Sequence, residues 1–122
     1  MILLNDFFFI QHQENSPNSI RAIISINPHH KIFEGHFPEK PVVPGVCLVQ
    51  IILELIEKSI QKKTRLTTAD AIKFLSVMTP KENELIEVTI QYSTVGNDLL
   101  VNASIFSGPL IFFKLKATLA PV

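Results

Sequence analysis

Apolar and polar positions along the chain change period several times, and each change marks an element. Ser19 to Ile26 alternates, with Ile20, Ala22, Ile24 and Ile26 on one face and largely polar residues on the other, which is the period of a half-buried strand. Before it, "FFFIQHQ" (residues 7–13) also reads as a strand. The intervening "NSPNS" supplies turn chemistry, because Asn and Ser bond local backbone while Pro17 fixes φ, so a hairpin is expected. "NPHHKIFEGHFPEKPVVPG" (27–45) then carries four prolines and two glycines, too many for a long regular element. From Gly45 to about Lys62 the apolar run is too long for a strand and has no Gly or Pro after Gly45, which predicts the one long helix. Its first half is apolar on nearly every face, so other structure should wrap it. Four more strands are predicted at "TADAIKFLSVM" (68–78), "ELIEVTIQYS" (84–93), "LLVNASIF" (99–106) and "LIFFKLKATLA" (110–120). They are separated by "TPKEN", "VGND" and "SGP", with Gly96-Asn97 suited to a primed two-residue turn. An antiparallel sheet of about five to six strands around a single buried helix makes an α+β domain.

Composition narrows the partners. At 122 residues the chain is most simply one domain, 1–122, able to bury roughly two-thirds of the surface of its unfolded form. Lys+Arg and Asp+Glu are both 11, so no excess positive charge argues for nucleic acid or an anionic membrane. The longest apolar stretch, Val46 to Ile56, is interrupted by Gln50 and Glu54 and falls short of the ~20 residues a membrane span needs. Cys47 is the only cysteine, which excludes an intramolecular disulfide and suits a reducing compartment, with the cytoplasm the default. "MILLNDFFFI" carries Asp6 where a signal peptide would carry positive charge and is read as part of the fold. A mean hydropathy of +0.30 is high for a small soluble chain and points to a subunit interface or a greasy ligand.

The chemistry concentrates in the proline-rich loop. Pro38, Pro41 and Pro44 restrict its shape and so present His36 in a narrow range of positions. Gly45 opens the helix, where the first N–H groups lack intrahelical acceptors and carry the positive end of the dipole. Its missing side chain would let a ligand come close. A base on a stiff loop beside donors able to polarise a carbonyl oxygen suggests proton abstraction next to a carbonyl. Other features carry blander readings. Gln50, Glu54, Glu57 and Gln61 recur at helical spacing, as a solvated face would. His29, His30 and His36 match no established metal signature, so no metal is expected. Cys47, on an apolar background, reads as a buried inert thiol. "KSIQKKTR" (58–65) is the charged end of a helix and the best candidate contact for an acidic partner.

"FEGHFPEKPVVPGVCLVQ", Phe33 to Gln50, closely resembles the active-site segment of hot-dog-fold beta-hydroxyacyl-acyl carrier protein dehydratases of fatty acid synthesis, whose pattern is roughly F-x-G-H-F-P-x-x-P-x-x-P-G-V. Every fixed position is present from Phe33 to Val46. The resemblance implies a hot-dog fold, with His36 taking the C2 proton of a 3-hydroxyacyl thioester and the Gly45 N–H holding the thioester carbonyl. Phe33, Phe37, Pro44 and Val46 would border the substrate. It further implies acyl carrier protein as partner, its phosphopantetheine arm carrying the substrate, no separate cofactor, and a homodimer or higher oligomer. The family's acid is a helix carboxylate fourteen residues after the histidine; this chain has Gln50 there and Glu54 one turn later. An amide cannot supply a proton. Three outcomes stay open: Glu54 serves as the displaced acid, Gln50 or water assists His36 alone, or the chain binds acyl groups or partners an active homologue without catalysis. A hot-dog thioesterase, with Glu54 activating water, is the rival reaction.

Overall fold

The computed structural model describes residues 2–35 and 39–122. In chain order these form β1 (Phe8–Ser16), β2 (Ser19–Ile26), a 3-10 turn at Lys31–Phe33, α1 (Gly45–Ile60), β3 (Thr64–Phe74), β4 (Ile86–Val95), β5 (Asp98–Ser107) and β6 (Leu110–Pro121). The six strands make one antiparallel sheet in the order β1-β2-β4-β5-β6-β3. Although α1 follows β2 in sequence, it touches β2, β4 and also β3 at the far edge. A flat sheet could not reach one helix from both regions, so the sheet curls around it.

Local chemistry sets the turns. Pro17 precedes Asn18, whose φ of 63° is the positive value that the third position of a type II turn demands. Gly96 takes φ 62° between β4 and β5, where a two-residue hairpin of the primed kind needs a glycine first. The alternation in β2 translates directly into burial: Ile20, Ala22, Ile24 and Ile26 are all buried. On α1 the buried apolar residues are Cys47, Leu48, Ile51, Ile52, Leu55 and Ile56, spaced so that they form one broad face. Each fully buried isoleucine contributes about 1.5–3 kcal/mol from removal of its side chain from water. The helix stops at Ile60, two residues earlier than its composition suggests, because Gln61 turns left-handed (φ 57°) and its N–H closes on the Glu57 carbonyl at 2.8 Å.

The largest departure from the sequence reading is β3. A strand is expected over 68–78, but pairing runs from Thr64 opposite Pro121 to Phe74 opposite Phe113. After Phe74 the N–H groups of Leu75 and Ser76 both turn onto the Phe112 carbonyl (2.9 and 3.4 Å), which ends the ladder. The last four strands are therefore not laid side by side in sequence order. β3 crosses to the outer side of β6, and β4 pairs with β2. As an edge strand, β3 leaves Leu66, Ile72 and Phe74 exposed, an apolar row along unpaired backbone.

Candidate active site

Two features hold the proline-rich loop against the body of the protein. On its way to α1 the chain donates the Val43 N–H to the Met78 carbonyl at 2.8 Å, and both side chains are buried. Pro44 then takes an extended conformation at the N-cap, with no side chain bonded to the helix start. The Cys47 and Leu48 N–H groups turn back to the Pro44 carbonyl (3.0 and 3.4 Å). The Gly45 and Val46 N–H groups, by helix geometry, have no intrahelical acceptor and point out of the helix end. Pro44 and Gly45 are half-buried there, and Val46 is exposed.

Gly45 is constrained by a neighbour that sequence reasoning missed. A Cβ at this position would stand 2.7 Å from the Cε1 and Cζ atoms of Phe74. Among the described residues, a side chain at position 45 would first meet the ring of Phe74, itself tilted against Phe113 with centroids 5.1 Å apart. Phe74 is 60% exposed, so an aromatic ring stands partly in solvent beside the helix entrance. The only sequence signal for it is its place in the exposed alternation of β3.

Along α1 the polar stripe is not a solvated face. Glu54 is the one buried charged side chain among the described residues. Its Oε1 accepts from the N–H groups of Leu3 (2.9 Å) and Leu4 (2.8 Å), and its Oε2 from the Leu3 N–H and the Gln50 Nε2, both at 2.8 Å. Glu57, one turn on, accepts from the Thr64 N–H at 2.7 Å. Each carboxylate fastens a passing backbone segment to the helix. Of the three outcomes open for the helix, this placement bears on the first: both oxygens of Glu54 accept hydrogen bonds from within the chain.

The remaining predicted residues fall as follows. Phe33 belongs to the core, its ring tilted on Phe7 at 5.5 Å, so it anchors the loop stem. Gln50 is half-buried on α1, its amide nitrogen given to Glu54. His36 and Phe37 lie outside the described residues. His30 uses both ring nitrogens: Nδ1 accepts from the Ile32 N–H (3.1 Å), leaving Nε2–H to donate to Asp6 Oδ2 (3.1 Å). Among the described residues no group of three or more His, Cys, Asp or Glu side chains is placed to hold a metal ion. Cys47 is buried, and that burial pushes its thiol pKa up, away from nucleophilic character. The "KSIQKKTR" segment is split, with Lys58 on α1 and Thr64 and Arg65 already in β3. No described helix is long and apolar enough to cross a membrane.

Comparison with known proteins places this arrangement. The sequence matches the ApeI-like family, described as ApeI dehydratase, over residues 11–103. Among curated relatives, the 3-hydroxyacyl-acyl-carrier-protein dehydratase FabZ of Thermoanaerobacter sp. (strain X514) is 28% identical over 82 residues, covering 62% of this chain and 58% of its own length. The corresponding FabZ of Rickettsia bellii (strain OSU 85-389) is 34% identical over 86 residues, covering 63% of this chain and 59% of its own length. This chain therefore spans somewhat under two-thirds of the relatives it matches. Among solved structures, the dehydratase heterocomplex ApeI:P from Xenorhabdus doucetiae superposes with a TM-score of 0.75 at 17% identity, covering 92% of this chain and 96% of that one. That likeness establishes the fold as the hot-dog type that the motif implies. With the family pattern matched across three-quarters of its length and the helix-in-sheet architecture in place, the chain belongs to the ApeI-like dehydratase family.

Proposed function

We propose that the protein removes water from a 3-hydroxyacyl thioester carried on acyl carrier protein, giving the trans-2-enoyl thioester. The observation that supports this most is the match to the dehydratase family through a segment whose helix start is uncapped and fronted by glycine. In this reading the outward Gly45 N–H donates to the thioester carbonyl oxygen and stabilises the charge that develops when C2 loses its proton. His36 takes that proton. As the C2–C3 double bond forms and the C3–O bond breaks, the imidazolium returns the proton to the departing oxygen, which leaves as water. Gln50 holds the hydroxyl by hydrogen bonds and donates nothing to the balance. One base thus serves both half-steps, which removes the need for a helix acid and accommodates the occupied carboxylate of Glu54. Pro44, Val46 and the Phe74 ring border the thioester.

The exposed edge of β3 supports a dimer of this chain. An eleven-residue edge strand, paired with β6 on one side only and with Leu66, Ile72 and Phe74 turned to solvent, is an aggregation hazard unless a second sheet covers it. Pairing of two β3 edges would bring Phe74 of each copy to the interface. A single-sized dimer by light scattering is expected for the wild type, and Ile72→Lys should shift it toward monomer; an unchanged mass for both would remove the proposal. The lone buried Cys47 agrees with a reducing compartment such as the cytoplasm.

The direct test of the reaction is incubation of purified protein with 3-hydroxyacyl carrier protein. Formation of enoyl thioester supports the proposal. Release of free acid instead would indicate a thioesterase. The second reading, a non-catalytic acyl-binding subunit that pairs with an active homologue, is favoured by Gln50 standing where the resembled dehydratases carry an acid; it predicts acyl binding without either product.

A further inference from the structure

Glu54 is a conspicuous expense in a small fold, since a buried carboxylate is retained only where donors satisfy it. Its donors show what it holds. The Leu3 and Leu4 N–H groups belong to a tight turn in which the Leu3 carbonyl accepts from Asp6, Phe7 and Phe8 (3.1, 2.7 and 3.2 Å) and the Asn5 N–H reaches the Phe8 carbonyl at 2.8 Å. Asn5 sits at φ 68°, which the turn requires. The same turn grips the stem of the proline-rich loop. The Asn27 N–H donates to the Phe7 carbonyl (2.8 Å), the Asn27 Nδ2 to the Asp6 carbonyl (3.0 Å), and His30 Nε2 to Asp6 Oδ2 (3.1 Å). The Phe7 ring stands edge-on to His30 (5.3 Å) and tilts against Phe33 (5.5 Å), three residues before His36. An unbroken chain of contacts therefore leads from the helix carboxylate through the turn to the stem that carries His36.

Glu54 also holds a side chain of its own helix, Gln50. A carboxylate accepts and does not donate, so the Gln50 amide must face it with nitrogen, and its Oε1 is directed away from Glu54. We infer that Glu54 is a positioning residue: its carboxylate clamps the Leu3–Phe8 turn to α1, which braces the stem of the His36 loop, and it fixes which face of the Gln50 amide is presented. This rests on the proposed dehydration only for its catalytic consequence; the clamp itself is a property of the fold.

Hydrogen exchange and kinetics on the full chain separate the roles. In Glu54→Gln, which keeps the size but has one acceptor oxygen in place of two, exchange should rise about tenfold or more at Leu3, Leu4, Asn27, His30 and Phe33 while β4–β6 amides keep their protection. Turnover should fall by about ten- to a hundredfold through misplacement, with the shape of the kcat/KM pH profile unchanged. Asn27→Ala, which leaves Glu54 intact and removes the Asn27 Nδ2 bond to the Asp6 carbonyl at the far end of the clamp, should loosen the same stem amides and lower turnover, and the double variant should be no worse than the poorer single one. Loss of a limb of the pH profile in Glu54→Gln with exchange unaltered would make Glu54 the acid and overturn the inference. Unaltered stem exchange in Asn27→Ala would also overturn it. Absence of turnover in the wild type would sink the dehydratase reading and leave the exchange results to decide the clamp.

Discussion

Replacing His36 with alanine should lower the rate of enoyl formation from a 3-hydroxyacyl carrier protein by roughly 10²–10⁴-fold, the usual worth of a positioned general base. The expected loss is at the upper end because one imidazole is assigned both halves of the proton traffic. No described histidine is placed to substitute for it. His12 lies on the exposed face of β1, 3.0 Å from Glu14, and His29 is exposed on the loop. His30 already spends both ring nitrogens on Ile32 and Asp6. Gln50 stands where the resembled dehydratases carry an acid, and both oxygens of Glu54 accept from Leu3, Leu4 and Gln50, so in the proposed mechanism no helix acid sustains a residual pathway. The variant is expected to melt with the wild type. The enoyl product is read by its absorbance, and the fold by thermal unfolding. A His36→Ala protein that keeps wild-type turnover would remove the imidazole from the mechanism, and with it the reason for the proline-stiffened loop.

The parts of this molecule that the sequence revealed are those governed by short-range rules. The alternation of Ile20, Ala22, Ile24 and Ile26 is a statement about one strand and one face, and burial follows from it directly. Gly96, Pro17 and Asn18 act within a turn of four residues. The run from Gly45 has only one element that can contain it. Beyond these, the motif from Phe33 to Val46 carried the family, and the family carried the fold. What stayed hidden is what depends on residues far apart in sequence. β3 was misplaced because its ends are set by Pro121 and Phe113 across the ladder, not by its own composition, and its exposed apolar row looks from sequence like any buried strand. The approach of Phe74 to Gly45 needs the crossing of β3 to the far edge. The motif places Phe33 next to the substrate, but its packing on Phe7, twenty-six positions earlier, is not legible in it. The surroundings of Glu54 stay hidden for the same reason: helical spacing identifies its neighbours on α1, but its donors include Leu3 and Leu4, fifty-one and fifty positions away.

Gln50→Glu is expected to make stability depend on pH in a way the wild type does not, and to do so in a defined direction. The amide nitrogen of Gln50 lies 2.8 Å from Glu54 Oε2, so the substitution sets a second carboxyl oxygen against an existing carboxylate in a half-buried site. Two charges that close resist joint ionisation, and the introduced carboxyl should bind its proton more tightly in the folded protein than in the unfolded chain. A folded state that holds more protons than the unfolded one loses stability as pH rises. The penalty is therefore small below about pH 4, grows as pH climbs through the unfolded value near 4.3, and levels off above the raised folded value. A raise of roughly two units corresponds to about 2.7 kcal/mol lost at neutral pH. Urea unfolding at pH 4 and pH 8 measures it: the variant should approach the wild type at the lower pH and fall behind at the higher. The same proton, retained near neutrality beside the site, is the one the resembled dehydratases deliver to the departing hydroxyl, so turnover at neutral pH should hold or rise even as stability drops. Adding Glu54→Gln removes the opposing charge and should abolish the pH-dependent penalty while releasing the Leu3–Phe8 turn. Equal destabilisation of Gln50→Glu at both pH values would mean that the two side chains do not face one another, and the orientation assigned to the amide would have to be abandoned.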